Sequence, residues 1–303
     1  MAFKRIVVAG GGTLGSQIAY QTAYSGFQVT IYDINAAAIA AAKRRIATWD
    51  QAYAQEMNAT PAVIHDTNDR LAFATDLETA VEDADLVIEA VPEVVAIKND
   101  FYAALAKVAP ARTIFATNSS TMVPSQFAAI TGRPAQFMAL HFANHVWENN
   151  MAEAMGHQGT SPEVYQQVVA FARQIGMVVI QLHKEQPAYI LNTILIPFVD
   201  AALVLWVHGV ADPQTIDRAW MVATGAPMGP FGILDEIGLR TAYNIMLAAS
   251  TAPGKGTLVD VAHKIKSEMI DQNKLGQESN QGFYSYPAPA FASAKFLKDD
   301  GKD

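Results

Sequence analysis

His141 and Glu153 stand twelve residues apart in the segment HFANHVWENNMAEAM (141–155). An imidazole takes or gives a proton near neutral pH. A carboxylate beside it would orient the ring and favour its charged form. The same two residues also suit a core histidine satisfied by backbone and an unrelated surface acid, and the spacing does not choose between these readings. Upstream, NSST (118–121) offers the Asn118 amide and the Ser120 hydroxyl. These could bind a substrate oxygen or a cofactor, or cap a helix ahead of MVPSQF. Asn192 lies within a long apolar segment, where an amide needs partners and either satisfies core backbone or faces a cleft. The other histidines (65, 145, 157, 183, 208 and 263) lack metal-ligand spacing, so no metal site is expected.

Such an acid–base pair can serve a redox reaction where a hydride carrier lies beside it, and the N-terminal stretch supplies a place for one. VVAGGGTLGSQIAYQTAYSGFQVTIYD (7–33) carries Gly10, Gly12 and Gly15 in G-x-G-x-x-G spacing after a β-branched run. Gly10 permits a tight turn, Gly12 lets a pyrophosphate approach the backbone, and Gly15 allows close packing of helix on strand. Thr13 and Leu14 open the helix, whose free N–H groups and partial positive charge suit phosphates. Asp33 ends the second strand, where a carboxylate accepts from ribose hydroxyls and repels a 2′-phosphate, so the pattern favours NAD over NADP. A hydride carrier beside a His–Glu pair is what alcohol–ketone interconversion requires.

The elements that must position these groups alternate. RIVVAG (5–10), QVTIYD (28–33), LAFATD (71–76), DLVIEAV (85–91), TIFATN (113–118), QFMALHF (136–142) and MVVIQL (177–182) read as strands. Most are continuous apolar runs, as in a sheet covered on both faces. A helix over Leu14–Ser25, stopped by Gly26, lies between the first two. The expectation is an α/β, Rossmann-type doubly wound sheet over 1–184, then an all-α domain over 185–303. Beyond Lys184 the only strand-like run is GFYSY (282–286), and the tail after Pro287 reads as loosely held.

The chain has 303 residues, no cysteine and a net charge of −8. Disulfides and thiol chemistry are excluded. The acidic balance argues against nucleic acid, whose phosphates demand basic patches. A strand begins almost at once, so no signal peptide is expected and a cytoplasmic setting is the default. The run AYILNTILIPFVDAALVLWV (188–207) has the length of a membrane span. Asn192, Pro197 and Asp200 interrupt it, so a buried or subunit-interface helix is expected instead.

Taken in order, GGGTLGSQIA, the acid of YDIN, DLVIEAVPEVVAIK (85–98), FATNSST (115–121), ALHFAN (139–144) with Glu153, ILNTILIPF (190–198), GAPMGPFGILDEIGL (225–239) and LGQESNQGFYSY (275–286) resemble the 3-hydroxyacyl-CoA dehydrogenase family. Within it the likeness is strongest to the branch that reduces 3,5-diketo esters. The resemblance implies an NAD-dependent oxidoreductase of fatty acid metabolism or a β-keto reductase, acting on a small 3-hydroxy or β-keto substrate, with a CoA thioester among the candidates. It also implies a homodimer formed through the helical domain, and substrate held between the two domains. Residue by residue it implies that His141 is the general acid/base, Glu153 its orienting partner, Ser120 a substrate-binding hydroxyl and Asn192 the amide that closes the site. Glu93, Lys98 and Asn118 match the family's cofactor contacts. A non-catalytic NAD-binding protein is the alternative class.

Two departures stand out. The family's HFFNP is HFANH here, with Ala143 and His145 in place of an aromatic and a proline. In CoA-using members the arm between strands two and three is lysine-rich. Here residues 46–69 contain no Lys or Arg, but hold Asp50, Glu56, Asp66 and Asp69. CoA phosphates are expected to gain little from such an arm.

Overall fold

A computed structural model describes residues 3–250 and 256–298. The chain divides into two compact units, Met1–Asn192 and Thr193–Asp303, so residues 185–192 group with the first. The first unit runs β1 (Arg5–Ala9), α1 (Thr13–Tyr24), β2 (Gln28–Tyr32), α2 (Ala36–Glu56), α3 (Pro61–Asp69), β3 (Leu71–Ala74), α4 (Leu77–Val81) and β4 (Leu86–Glu89). It continues through α5 (Val95–Val108), β5 (Ile114–Thr117), α6 (Ser125–Ala128), β6 (Phe137–Phe142), β7 (Met151–Met155), α7 (Pro162–Gln174) and β8 (Val178–Leu182).

The strands form one eight-stranded sheet in the order β3-β2-β1-β4-β5-β6-β7-β8. All neighbours are parallel except β6 and β7. The first six strands therefore follow the 3-2-1-4-5-6 order of doubly wound dinucleotide folds. β1, β4, β5 and β6 are buried on both faces, which explains why their sequences are continuous apolar runs.

Strand β7 has no counterpart among the expected strands. Its sequence, MAEAM, is made of helix-compatible residues around a central acid. Pairing between β6 and β8 imposes the extended form. Side chains alternate across a strand. Met138, Leu140 and Phe142 of β6 and Ala152 and Ala154 of β7 face one core. His141 and Glu153 therefore share the opposite face, on which Ala139, Met155, Leu182 and Tyr189 cluster.

The second unit is helical: α8 (Leu191–Val207, its first two residues in the first unit), α9 (Pro213–Thr224), α10 (Pro230–Ile237), α11 (Leu239–Ala249) and α12 (Thr257–Glu268). Asp212 caps α9 as its position before Pro213 predicts, its Oδ1 accepting from Thr215 N at 3.0 Å. GFYSY is not a strand. It forms isolated bridges and wraps Asp235, whose carboxylate accepts from Phe283 N and Tyr284 N, both at 2.9 Å. The segment after Pro287 is better held than expected, because Phe291 and Phe296 are buried against Tyr284. Residues 299–303 of that segment lie outside the described residues.

The apolar segment 188–207 also differs in detail. Its helix starts only at Leu191, and it is not buried all round: Ile194 and Leu205 are exposed. No helix among the described residues is long and apolar enough to cross a membrane.

Candidate active site

The hairpin of β6 and β7 places His141 and Glu153 directly opposite one another. Cross-strand partners have Cβ atoms about 5 Å apart, close enough for their side chains to meet. His141 Nδ1 lies 3.0 Å from Glu153 Oε2. The second carboxylate oxygen accepts from the backbone N–H groups of Ile190 and Leu191, at 2.8 and 3.0 Å. Burial alone would raise the Glu153 carboxyl, but the His141 bond and these two N–H groups carry it below its ordinary value. A carboxylate fixed at Nδ1 leaves Nε2 on the other side of the ring. Ser120 Oγ sits 3.2 Å from Nε2.

A fourth residue, Tyr189, completes this face. Its buried ring lies 4.8 Å from the imidazole, centroid to centroid and inclined by 30°. Ala188 and Tyr189 both adopt left-handed backbone angles, φ 64° and 56°. Non-glycine residues take this conformation at a cost of order 1–3 kcal/mol each. The turn that pays it delivers the Tyr189 ring to His141 and two N–H groups to Glu153. Sequence reasoning missed Tyr189 because neither residue of the turn is a glycine that would announce it. Asn192 follows Leu191 in the first turn of α8 and is half-buried, not buried as expected for an amide in an apolar helix.

The loop after β5 is anchored from several sides. Asn118 Oδ1 accepts from Phe142 N at 3.0 Å, which ties this loop to the end of β6. Glu93 Oε1 accepts from Ser120 N and Thr121 N, both at 3.0 Å, from Thr121 Oγ1 at 2.9 Å, and from Ser119 Oγ. Lys98 Nζ lies 3.1 Å from Glu93 Oε2 and 2.6 Å from Glu89 Oε1. Burial would raise Glu93, but the Ser119 bond, Lys98 and Thr121 bring it below its ordinary value.

The glycine turn fits a dinucleotide. Gly10 has φ 108°, and a Cβ there would lie 2.4 Å from Ala90 O. A Cβ on Gly15 would lie 2.0 Å from Gly10 O. Nothing stands within 4 Å of the Cβ position of Gly12, and no side chain caps α1 there. The first-turn N–H groups of Thr13 and Leu14 thus open onto space that a pyrophosphate can fill. Asp33 is half-buried, its Oδ2 accepting from Gly11 N and its Oδ1 from Ile34 N, both at 2.8 Å. Each oxygen keeps a second lone pair for a ribose hydroxyl. Among the described residues there is no cluster suited to a metal ion.

The two departures noted in the sequence meet in space. Trp147 Nε1 donates to Glu56 Oε2 at 2.5 Å, and the Trp147 ring packs against Trp49, Tyr53 and His145. Asp50 accepts from Tyr20 OH at 2.6 Å and from Asn68 Nδ2 at 2.8 Å. Of the three cations at the start of the arm, Lys43 lies over the Phe73 ring and Arg45 donates to Gly11 O.

A doubly wound sheet with a glycine cradle, an acid at the end of its second strand and a His–Glu pair at its carboxyl edge defines an NAD-dependent dehydrogenase. Comparison with known proteins narrows this. Residues 5–186 match the pattern of the 3-hydroxyacyl-CoA dehydrogenase NAD binding domain, and residues 189–286 that of its C-terminal domain. The chain belongs to the 3-hydroxyacyl-CoA dehydrogenase family and is an NAD-dependent oxidoreductase that interconverts keto and hydroxy groups. It is 32% identical over 286 residues to a probable 3-hydroxybutyryl-CoA dehydrogenase of Bacillus subtilis (strain 168), covering 94% of this chain and 98% of that one. It is 30% identical over 288 residues to the human mitochondrial hydroxyacyl-coenzyme A dehydrogenase, covering 93% and 91%. Among solved structures, a diketoreductase that acts on dicarbonyl compounds is 50% identical, with a TM-score of 0.89 and coverage of 94% and 100%. The (S)-3-hydroxybutyryl-CoA dehydrogenase of Ralstonia eutropha is 26% identical, with a TM-score of 0.78 and coverage of 95% and 100%. The expected likeness to the diketo-ester branch is thus met, and the non-catalytic alternative finds no support.

Proposed function

We propose that the chain reduces the β-keto group of small esters, 3,5-diketo esters among them, and oxidises the matching 3-hydroxy group, with no need for a CoA moiety. The observation that carries the chemistry is the Ser120–His141–Glu153 array, its histidine and glutamate buried, with contacts of 3.2 and 3.0 Å. NADH, when bound, supplies the hydride. His141 as imidazolium donates its Nε2 proton to the carbonyl oxygen, and the Glu153 carboxylate compensates the ring's charge. The Ser120 hydroxyl holds the same oxygen, and Asn192 adds an amide contact, so the carbonyl is oriented before reaction. Tyr189 covers the imidazole face and keeps it dry. Gly10, Gly12, Thr13, Leu14, Gly15 and Asp33 hold the dinucleotide, with Glu93, Lys98 and Asn118 around its nicotinamide end.

The absence of Lys and Arg from residues 46–69, and the engagement of Arg45 by the carbonyl of Gly11, support a site that does not rely on CoA phosphates. Exposed Ile194, Leu205, Val210, Trp220 and Val222 on the helical unit support a homodimer formed through it. The test is a matched pair: one β-keto acyl group presented with NADH as a CoA thioester and as a simple ester. Their kcat/KM values should differ by less than about tenfold, or ~1.4 kcal/mol of transition-state binding. Added salt should change the KM of the CoA substrate only weakly. A large CoA preference that collapses with salt would assign the phosphates to Lys43, Arg44 and Arg45, and the substrate would then be an acyl-CoA.

A further inference from the structure

Ser120 stands at the end of a chain of charged side chains, two of which, Glu89 and Lys98, are buried. Glu89, wholly buried, accepts through Oε2 from Thr117 Oγ1 at 2.8 Å and from Tyr102 OH at 2.9 Å. Thr117 ends β5, and its hydroxyl oxygen also accepts from Ser119 N at 3.1 Å. The other Glu89 oxygen meets Lys98 at 2.6 Å and Val91 N at 2.9 Å. Lys98, 1% exposed, bridges on to Glu93, and Glu93 gathers the N–H groups of Ser120 and Thr121 with two hydroxyls. The loop is thus held at its start through Glu89 and at its turn through Glu93. Lys98 joins the two carboxylates, which would otherwise repel one another in a low-dielectric interior.

We propose that the Glu89–Lys98–Glu93 chain fixes Ser120 Oγ against His141 Nε2, and that Glu93 and Lys98 are positioning residues for the reaction in addition to any contact with the cofactor. The geometry is direct: Ser120 gives its N–H to Glu93 at 3.0 Å, while its hydroxyl lies 3.2 Å from the imidazole. Lys98 is committed to two carboxylates inside the fold, so it does not stand at the surface as a cation for phosphate. Glu93 stays ionised in spite of partial burial, which strengthens every bond the loop makes to it. A displacement of Ser120 by about 1 Å is enough to cost on the order of a hundredfold in rate.

The inference rests on Ser120 and His141 acting on the carbonyl, as proposed above, and its test separates the two. Glu93→Ala should lower kcat at saturating NADH by about ten- to a hundredfold. Glu93→Gln, which keeps an acceptor for the loop, should recover most of that loss. In a Ser120→Ala background, Glu93→Ala should cost less than about threefold more, because its effect runs through the serine. The ¹⁵N signal of His141 Nε2 in the holoenzyme should move in Glu93→Ala as it moves in Ser120→Ala, and this readout needs no turnover. Lys98→Met alone would strand two carboxylates, so the pair Glu89→Gln with Lys98→Met tests the bridge and should reproduce the Glu93→Ala signal. Independent, multiplicative losses in the double variant would overturn the proposal. So would a Glu93→Ala enzyme with weakened NADH binding but unchanged kcat and Nε2 signal. A wild-type enzyme inert toward every β-keto substrate would overturn the functional reading instead, while the Nε2 signal would still decide the positioning role.

Discussion

Replacing Glu153 by glutamine isolates the charge of the His–Glu pair. The new amide keeps an oxygen for Ile190 N and Leu191 N but can turn its NH₂ toward His141 Nδ1. The imidazole then carries its proton on Nε2, and protonating the ring further creates a cation with no counter-charge. Both residues are almost closed to solvent, His141 at 4% and Glu153 at 0% exposure, so water does not make up the loss. A hydrogen bond to a charged partner contributes roughly 1.5–3 kcal/mol. At ~1.4 kcal/mol per decade, kcat should fall by about ten- to 150-fold. The assay is kcat at saturating NADH and β-keto ester, with the NADH Kd and the melting temperature as controls. The NADH Kd should change little, and the melting temperature should fall only modestly. Glu153→Ala should lose a similar factor in kcat and should also melt lower, because it orphans two backbone N–H groups at about 1–3 kcal/mol each. The pH dependence has a definite sign. The folded Glu153 carboxyl lies below its ordinary value of 4.5, so its stabilising contribution is complete above that pH and disappears as pH falls through the folded value. Glu153→Gln should therefore lose less stability than wild type on acidification below about pH 4.5. A Glu153→Gln enzyme within about threefold of wild-type kcat would refute the argument, since the buried carboxylate would then be structural alone.

Two further outcomes follow from other parts of the fold. Wild type should prefer NADH to NADPH, and Asp33→Ala should weaken NADH binding while narrowing the preference, measured as the ratio of kcat/KM values; equal use of both cofactors by wild type would contradict the role of the acid. Burial raises the Asp235 carboxyl to about 6 despite its bonds to Phe283, Tyr284 and Tyr286, so carboxyl ¹³C titration should show a midpoint near 6, not near 3.8. Because this folded value is raised, Asp235 favours the fold below pH 3.8 and that contribution is lost as pH rises to about 6.

Strands β1, β4, β5 and β6 were legible because burial on both faces demands apolar runs, and the glycine turn because backbone approach demands missing side chains. Strand β7 was not legible. Met, Ala and Glu carry no strand preference, and only pairing with β6 and β8 makes that segment extended. The relation between His141 and Glu153 shared this obscurity. Their separation of twelve residues becomes a contact only when the hairpin register sets them opposite, and register is a tertiary property. Ser120 was recognisable as a polar group at a strand end, and Glu93 and Lys98 through the family resemblance, but not as members of one hydrogen-bonded chain, since Glu89 and Thr117 at its root read as ordinary strand residues.

The acid-rich arm shows why charge counted along a sequence must be checked against partners in space. Asp50 and Glu56 read as solvated acids, yet they accept from Tyr20, Asn68 and Trp147 and so hold α2 against the body of the domain. These donors are neutral and bring no opposing charge, so the field of the arm remains negative. Of the cations that could oppose it, Arg45 is drawn onto the carbonyl of Gly11, while Lys43, its ammonium over the Phe73 ring, and Arg44 remain exposed at the start of the arm. The electrostatic case against CoA phosphates therefore gains from the structure, for a reason the residue count did not contain. His145 belongs to the same device. Its ring stacks on Trp147, whose indole is tied to Glu56, and its backbone N–H donates to Gln17 of α1. A change at position 145 and a change in the arm thus act on one wall, four residues beyond His141.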